Sequence, residues 1–161
     1  MLLLVWSHAA DVESVCIAQT SVGVSAQEER STDWTIRCLD GTEIEPFLDR
    51  HATKAMVLVF ISTDCPIANG YLPQLHHLAA EYEARGVRMF LVHSCSDVDR
   101  ATTKAHAKEF GISIPIVLDA TQVIARRVGV KVTPEAVVIA PDSSEPVYRG
   151  AIDNLHADYG K

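Results

Sequence analysis

Val57-Leu58-Val59-Phe60-Ile61-Ser62-Thr63-Asp64-Cys65-Pro66 is the stretch that decides the fold. Its first five residues form an unbroken apolar run, which fits a strand covered on both faces. A helical pattern begins directly after Cys65-Pro66. A thiol at the end of such a strand and the start of a helix meets unpaired backbone N–H groups and the positive end of the helix dipole. Both favour the thiolate, the reactive form of cysteine. The competing reading is an inert, packed cysteine. The strand–Cys-Pro–helix setting favours a reactive one.

Working outward, Pro73 falls eight residues after Cys65, inside a helical pattern carried by Leu72, Leu75, Leu78, Ala79 and Tyr82. A proline there lacks the N–H and crowds the preceding turn, so a kinked helix is expected over residues 69–85, stopped by Gly86. Val87-Arg88-Met89-Phe90-Leu91-Val92 reads as the next strand. Asp97 or Asp99 can cap a helix that runs to Phe110 and ends at Gly111. Ile114-Pro115-Ile116-Val117-Leu118 and residues 122–128 read as a further strand and helix. Val132-Thr133-Pro134 then precedes a hairpin of residues 136–140 and 147–149. A proline just before a buried strand is a natural place for a tight or cis bond. Upstream, Trp34-Thr35-Ile36-Arg37-Cys38 alternates like a strand and meets a turn at Asp40-Gly41. Alternating strands and helices give an α/β class with a central mixed β-sheet flanked by helices.

Cys65, Pro73 and Thr133-Pro134, in that order, resemble the thioredoxin superfamily over roughly residues 33–160. The strand and helix between Cys65 and Pro134 look like the branch that holds peroxiredoxins and membrane-anchored bacterial thiol reductases. Within it, Cys65-Pro66-Ile67-Ala68-Asn69 is similar to the peroxiredoxin-like redoxins of the alkyl hydroperoxide reductase/thiol-specific antioxidant family, whose loop reads C-P-x-[SA]-N. The resemblance implies a thioredoxin-like fold and Cys65 as catalytic nucleophile, supported by Ser62, Thr63, Pro66, Thr133 and Pro134. Pro134 would shape a substrate groove, and the Thr133 backbone would hydrogen-bond a sulfur-containing partner. Implied partners are a thiol or disulfide protein or a peroxide, with an external thiol as reductant and no cofactor.

Departures from the family pattern narrow the chemistry. Ala68 stands where a dithiol reductase has its second cysteine, so a mixed disulfide or sulfenic acid at Cys65 has no resolver three residues on. Ser62 matches the hydroxyl residue of the peroxiredoxin loop, but Leu58 replaces its proline. Thr133-Pro134 occupies the region of its catalytic arginine, which weakens peroxide polarisation. Asp64 also sets a negative charge beside the thiol. Cys95, after Leu91-Val92-His93-Ser94, falls on the same sheet edge as Cys65 and is the candidate resolving thiol; its alternative is a loop cysteine without a partner. Cys65, His93 and Cys95 are a conceivable copper or zinc set, but the copper-carrying relative uses two loop cysteines, and Ala68 breaks that pattern; no metal is expected. His76, His77, Arg126 and Arg127 read as exposed helix residues, and Cys38 as strand packing. A non-catalytic module of the same fold with a silent cysteine is the other functional reading.

The 161 residues, 48% hydrophobic, suffice for one domain with a sizeable core. A formal net charge of −7 opposes nucleic-acid binding. No apolar run approaches the roughly 18 residues of a membrane span. Four cysteines, without the close pairing of a zinc site, are too few for a disulfide scaffold. Residues 1–30 read as a leader or degenerate signal segment, with Val24-Ser25-Ala26 suiting a cleavage site, and residues 31–161 as the redoxin domain. A disordered leader is the other reading of that segment, so the sequence leaves the compartment open while favouring an extracytoplasmic one, periplasmic or secreted. Residues 151–161 lack an amphipathic pattern, so the closing helix of the fold is expected to be missing.

Overall fold

The computed structural model describes residues 34–49 and 51–155. The expected leader over residues 1–30, and the chain end from residue 156, lie outside the described residues. A five-stranded mixed sheet forms the centre, in the order β5-β4-β3-β6-β7. The apolar run becomes β3 (Ala55–Ile61), paired in parallel with β4 (Val87–His93) and antiparallel with β6 (Glu135–Ile139). β5 (Ile116–Leu118) extends the parallel side and β7 (Tyr148–Gly150) the antiparallel side. β3 is therefore paired on both edges, and its side chains from Leu58 to Ile61 are all buried.

Alternation along β3 and β4 sends side chains to two different cores. Leu58, Phe60, Phe90 and Val92 join Val137 and Ile139 on one face, closed by α3 (Val123–Val128) and the small hairpin β1 (Ile36–Arg37) and β2 (Glu43–Ile44). Val59, Ile61 and Leu91 pack on the other face against α1 (Pro66–Glu83) through Ala68, Tyr71, Leu72 and Leu75. α2 (Arg100–Glu109) adds Ala107 to that side. The hairpin also guards an edge: Cys38 bridges Val117, and Leu39 N–H donates to the Ile116 carbonyl at 2.6 Å.

Several expected boundaries shift for local reasons. α1 starts three residues before the expected residue 69, because Pro66 sits at its first turn, where the missing N–H costs nothing. The helix then runs through Pro73 to Glu83. Gly86 adopts φ +82°, and a Cβ there would collide with the Ala52 carbonyl, so glycine alone fits this turn. Of the two candidate caps for α2 it is Asp99 that accepts from Thr102 N–H, at 2.7 Å. β1 is only two residues long, and β2 was not expected at all. No helix among the described residues is long and apolar enough to cross a membrane.

Candidate active site

Cys65 caps α1. Its backbone is extended (φ −86°, ψ 106°), and its Sγ accepts the Ala68 N–H at 3.4 Å. The thiol thus takes one of the N–H groups that the first helical turn leaves unpaired. Ahead of it, Cys65 N–H donates to the Ser62 carbonyl at 3.3 Å, closing a turn over residues 62–65. Ser62 Oγ donates to Asp64 Oδ1, and this bond holds the Asp64 carboxyl below the usual range. Asp64 is accordingly an anion turned toward Ser62, on an exposed residue.

Strand register sets the neighbours of this turn. The last pairs of β3 are Ile61 with His93 and Phe60 with Glu135. The turn therefore leaves the sheet between the end of β4, which continues into Ser94 and Cys95, and the residues just before β6, Thr133 and Pro134. The Thr133–Pro134 peptide bond is cis. Thr133 is exposed and lies beyond the last ladder pair, while Pro134 is half-buried. A groove of about 520 Å³ opens beside the turn, with Phe60, Ser62, Cys95, Arg126, Val132 and Thr133 among its walls.

Cys65 and Cys95 are both free thiols and half-buried. Cys65 packs against the α1-side core, whereas Cys95 faces the groove walled by Phe60 of the opposite core. The loop bearing Cys95 is also tied down. Ser94 Oγ donates to Asp119 Oδ2 at 3.0 Å, Gln122 Nε2 donates to the Ser94 carbonyl at 3.0 Å, and Asp119 accepts the Ala125 N–H at 2.9 Å. Cys38 is buried, and burial, with Asp40 nearby, pushes its thiol up, away from reactivity. Among the described residues, no group of three or more His, Cys, Asp or Glu side chains is arranged to hold a metal ion.

Behind the turn lies a polar network that sequence reasoning missed. Asn69 Nδ2 donates to the Thr63 carbonyl at 3.1 Å, and Asn69 Oδ1 lies 2.9 Å from His106 Nε2. The His106 ring packs edge-on to His93 (centroids 5.3 Å apart, 84°) and against Phe110 at 4.8 Å. His93 is fully buried, and neither of its ring nitrogens has a protein hydrogen-bond partner. Burial, with His106 adding repulsion, pushes its pKa down to about 4. Burial lowers His106 too, against an opposing pull from Glu109. The available signal was the inward spacing of Thr103, His106 and Ala107 on α2. One surface reading needs correction: His76 is half-buried and accepts the Ser113 N–H at 3.3 Å. Arg127 is exposed as expected, with its guanidinium carbon 3.8 Å from the centre of the Trp34 ring. Each finds a partner that arrives only when distant segments pack.

A mixed five-stranded sheet with a cysteine-capped helix after its central strand, and the Thr133-Pro134 loop leading into the neighbouring strand β6, defines a thioredoxin-like redoxin. The chain belongs to the AhpC/TSA family, whose model matches residues 28–144. It is similar to the thiol-disulfide oxidoreductase ResA of Halalkalibacterium halodurans, with 26% identity over 111 residues, covering 69% of this chain and 61% of that protein. The chain thus spans less than two thirds of that relative's length. In fold it resembles a secreted Mycobacterium tuberculosis disulfide oxidoreductase homologous to E. coli DsbE (24% identity, 72% of this chain and 81% of that one, TM-score 0.57). It also resembles a thiol-disulfide oxidoreductase from Bacteroides fragilis (17% identity, 79% and 94%, TM-score 0.62).

Proposed function

We propose that this protein is a monothiol redoxin in which Cys65 attacks disulfides. The observation that carries the reading is the Cys65 Sγ at the start of α1, accepting the Ala68 N–H where the helix dipole favours negative charge. In the first step the Cys65 thiolate attacks one sulfur of a partner disulfide. A Cys65–partner S–S bond forms, the partner's own S–S bond breaks, and the departing sulfur leaves as thiolate. An external thiolate then attacks the mixed disulfide, restoring Cys65 and carrying the oxidising equivalent away. Ser62, Thr63 and Pro66 shape the turn, and Thr133 and Pro134 form the wall against which the partner lies.

Peroxide reduction is the second reading, favoured by the family match. There the Cys65 thiolate takes one peroxide oxygen to become a sulfenic acid, and the other oxygen leaves as alcohol or water once protonated. External thiol then condenses with the sulfenic acid, releasing water, and a second thiol frees Cys65. Cys95 is the resolving thiol only if its tied loop swings toward Cys65.

Cys65→Ser tests the assignment in a mixed-disulfide reduction assay with a small thiol as reductant. The substitution is nearly isosteric at a half-buried helix cap. Activity is expected to fall at least about a hundredfold, since no other group replaces the nucleophile. Retained activity overturns the reading. Sluggish alkylation of the parent Cys65, at the rate of an ordinary exposed thiol, would instead favour a binding module with a silent cysteine.

A further inference from the structure

Asn69 is bonded to the Cys65 turn on both sides. Its backbone N–H donates to the Cys65 carbonyl at 3.0 Å as part of α1, and its side-chain amide donates to the Thr63 carbonyl at 3.1 Å. The residue four positions after the cysteine thus brackets it. The Thr63 carbonyl defines the plane of the Thr63–Asp64 peptide, the last unit before the nucleophile's own. Holding that plane fixes the direction from which the chain enters the helix cap, and so where Sγ sits relative to the Ala68 N–H.

An amide side chain can make the Thr63 bond only in one flip state. With Nδ2 donating to Thr63, Oδ1 points at His106, and the 2.9 Å contact requires a proton on His106 Nε2. The reverse flip would set the amide oxygen against the Thr63 carbonyl oxygen. His106 therefore selects the orientation in which Asn69 can grip the turn. The imidazole is itself held: it is 4% exposed, lies edge-on to the buried His93 and packs against Phe110. α2 thereby reaches the reactive loop through a single rigid donor.

Resting on the reading of Cys65 as nucleophile, we propose that His106 is a positioning residue for that reaction, acting through Asn69 to fix the Thr63 carbonyl and the turn that presents Cys65.

The test is the rate of iodoacetamide alkylation at Cys65, followed by peptide mass spectrometry across a pH series in the full chain. His106→Leu removes the donor at similar volume and is expected to slow alkylation about tenfold, the scale of a modest loss of positioning. His106→Gln places an amide Nε2 within reach of Asn69 Oδ1 and should return the rate to within about threefold of the parent. Asn69→Ala removes the grip while keeping both imidazoles, though His106 loses its acceptor, and should match His106→Leu even if that variant folds poorly. Equal losses in the Leu and Gln variants, or a parental rate in Asn69→Ala, overturn the proposal. Cys65→Ser separates the two layers: a surviving activity there sinks the nucleophile assignment, whereas an inert Cys65→Ser beside unaffected His106 and Asn69 variants sinks the clamp alone.

Discussion

The two faces of the central sheet solve packing differently. Opposite α1, the core is almost entirely aliphatic and aromatic, with Ile36, Met56, Leu58, Phe60, Phe90 and Ile139 each at 1% exposure or less. On the α1 face, apolar packing is interrupted by polar side chains near the Cys65 turn. Toward Cys65 it gives way to buried His93, Thr103 and His106, linked to the turn through Asn69. Buried polar groups are costly, and three ring nitrogens of this pair have no protein partner. One face therefore supplies stability, while the other gives up some of it where the polar network meets the Cys65 turn. Local breaches of core rules of this kind are expected at functional sites, which is what the proposed clamp would make it.

Truncating the stabilising face should give the largest stability effect. Leu58 is fully buried at the middle of β3, opposite Phe90 and Val137. Leu58→Ala is expected to cost about 2–5 kcal/mol in denaturant unfolding, through lost transfer energy and the cavity left behind. Alkylation of Cys65, normalised to folded protein, should stay at the parental rate. A specific loss of reactivity would show that the two faces are not separable.

The α1 face should reveal itself through pH. His93 has its pKa depressed to about 4 from an ordinary 6.5, so between those values the unfolded chain binds a proton that the folded chain refuses. Stability is accordingly full above about pH 6.5 and falls as pH drops, by about 3 kcal/mol in total once pH passes about 4. His106, lowered in the same direction, adds to the slope. His93→Leu removes this proton uptake and should flatten the acid limb of a thermal-midpoint profile. An unchanged acid limb would place the titration elsewhere.

The next effect is smaller in energy and probes the reactive end directly. Ala68 is fully buried against the α1-side core, and its N–H meets the Cys65 sulfur. Ala68→Cys makes a Cys-Pro-Ile-Cys loop, expected to gain dithiol activity in insulin reduction coupled to dithiothreitol. The added sulfur overfills a packed position, at about 1–3 kcal/mol of stability. No gain over the parent would mean that this turn does not hold the two positions at bonding distance.

Most of this arrangement was legible in the chain because it is local. The apolar run, Cys65-Pro66 and the glycine stops each act within a few residues, and the strand and helix elements they announce are present. Thr133-Pro134 stood out locally, because proline restricts its own backbone whatever surrounds it, while its place opposite Cys65 was implied only by the family resemblance. The Asn69–His106 contact was not legible, since its partners lie 37 residues apart and meet only when α1 and α2 settle on the same face. The two-residue strand β2 escaped for a related reason: its pairing depends on β1 and carries almost no periodicity. The left-handed backbone of Gln122 (φ 56°), just before α3, likewise had no compositional signal.

Arg127 offers the smallest effect and the finest test of the contrast between faces. Its guanidinium stacks 3.8 Å over the ring of Trp34, which is 5% exposed, so the aliphatic stem and planar head form a lid on the stabilising core. Arg127 itself is exposed, which places the cation–π attraction at the weak end of its range. Arg127→Ala should cost about 0.5–1 kcal/mol and alter Trp34 fluorescence as water reaches the ring. Arg127→Lys keeps the charge but loses the delocalised guanidinium over the ring, so it should recover only part of the loss. Full recovery by lysine would make the contact one of charge alone. Any change in Cys65 alkylation in either variant would breach the separation, because Trp34 belongs to the core on the far side of the sheet.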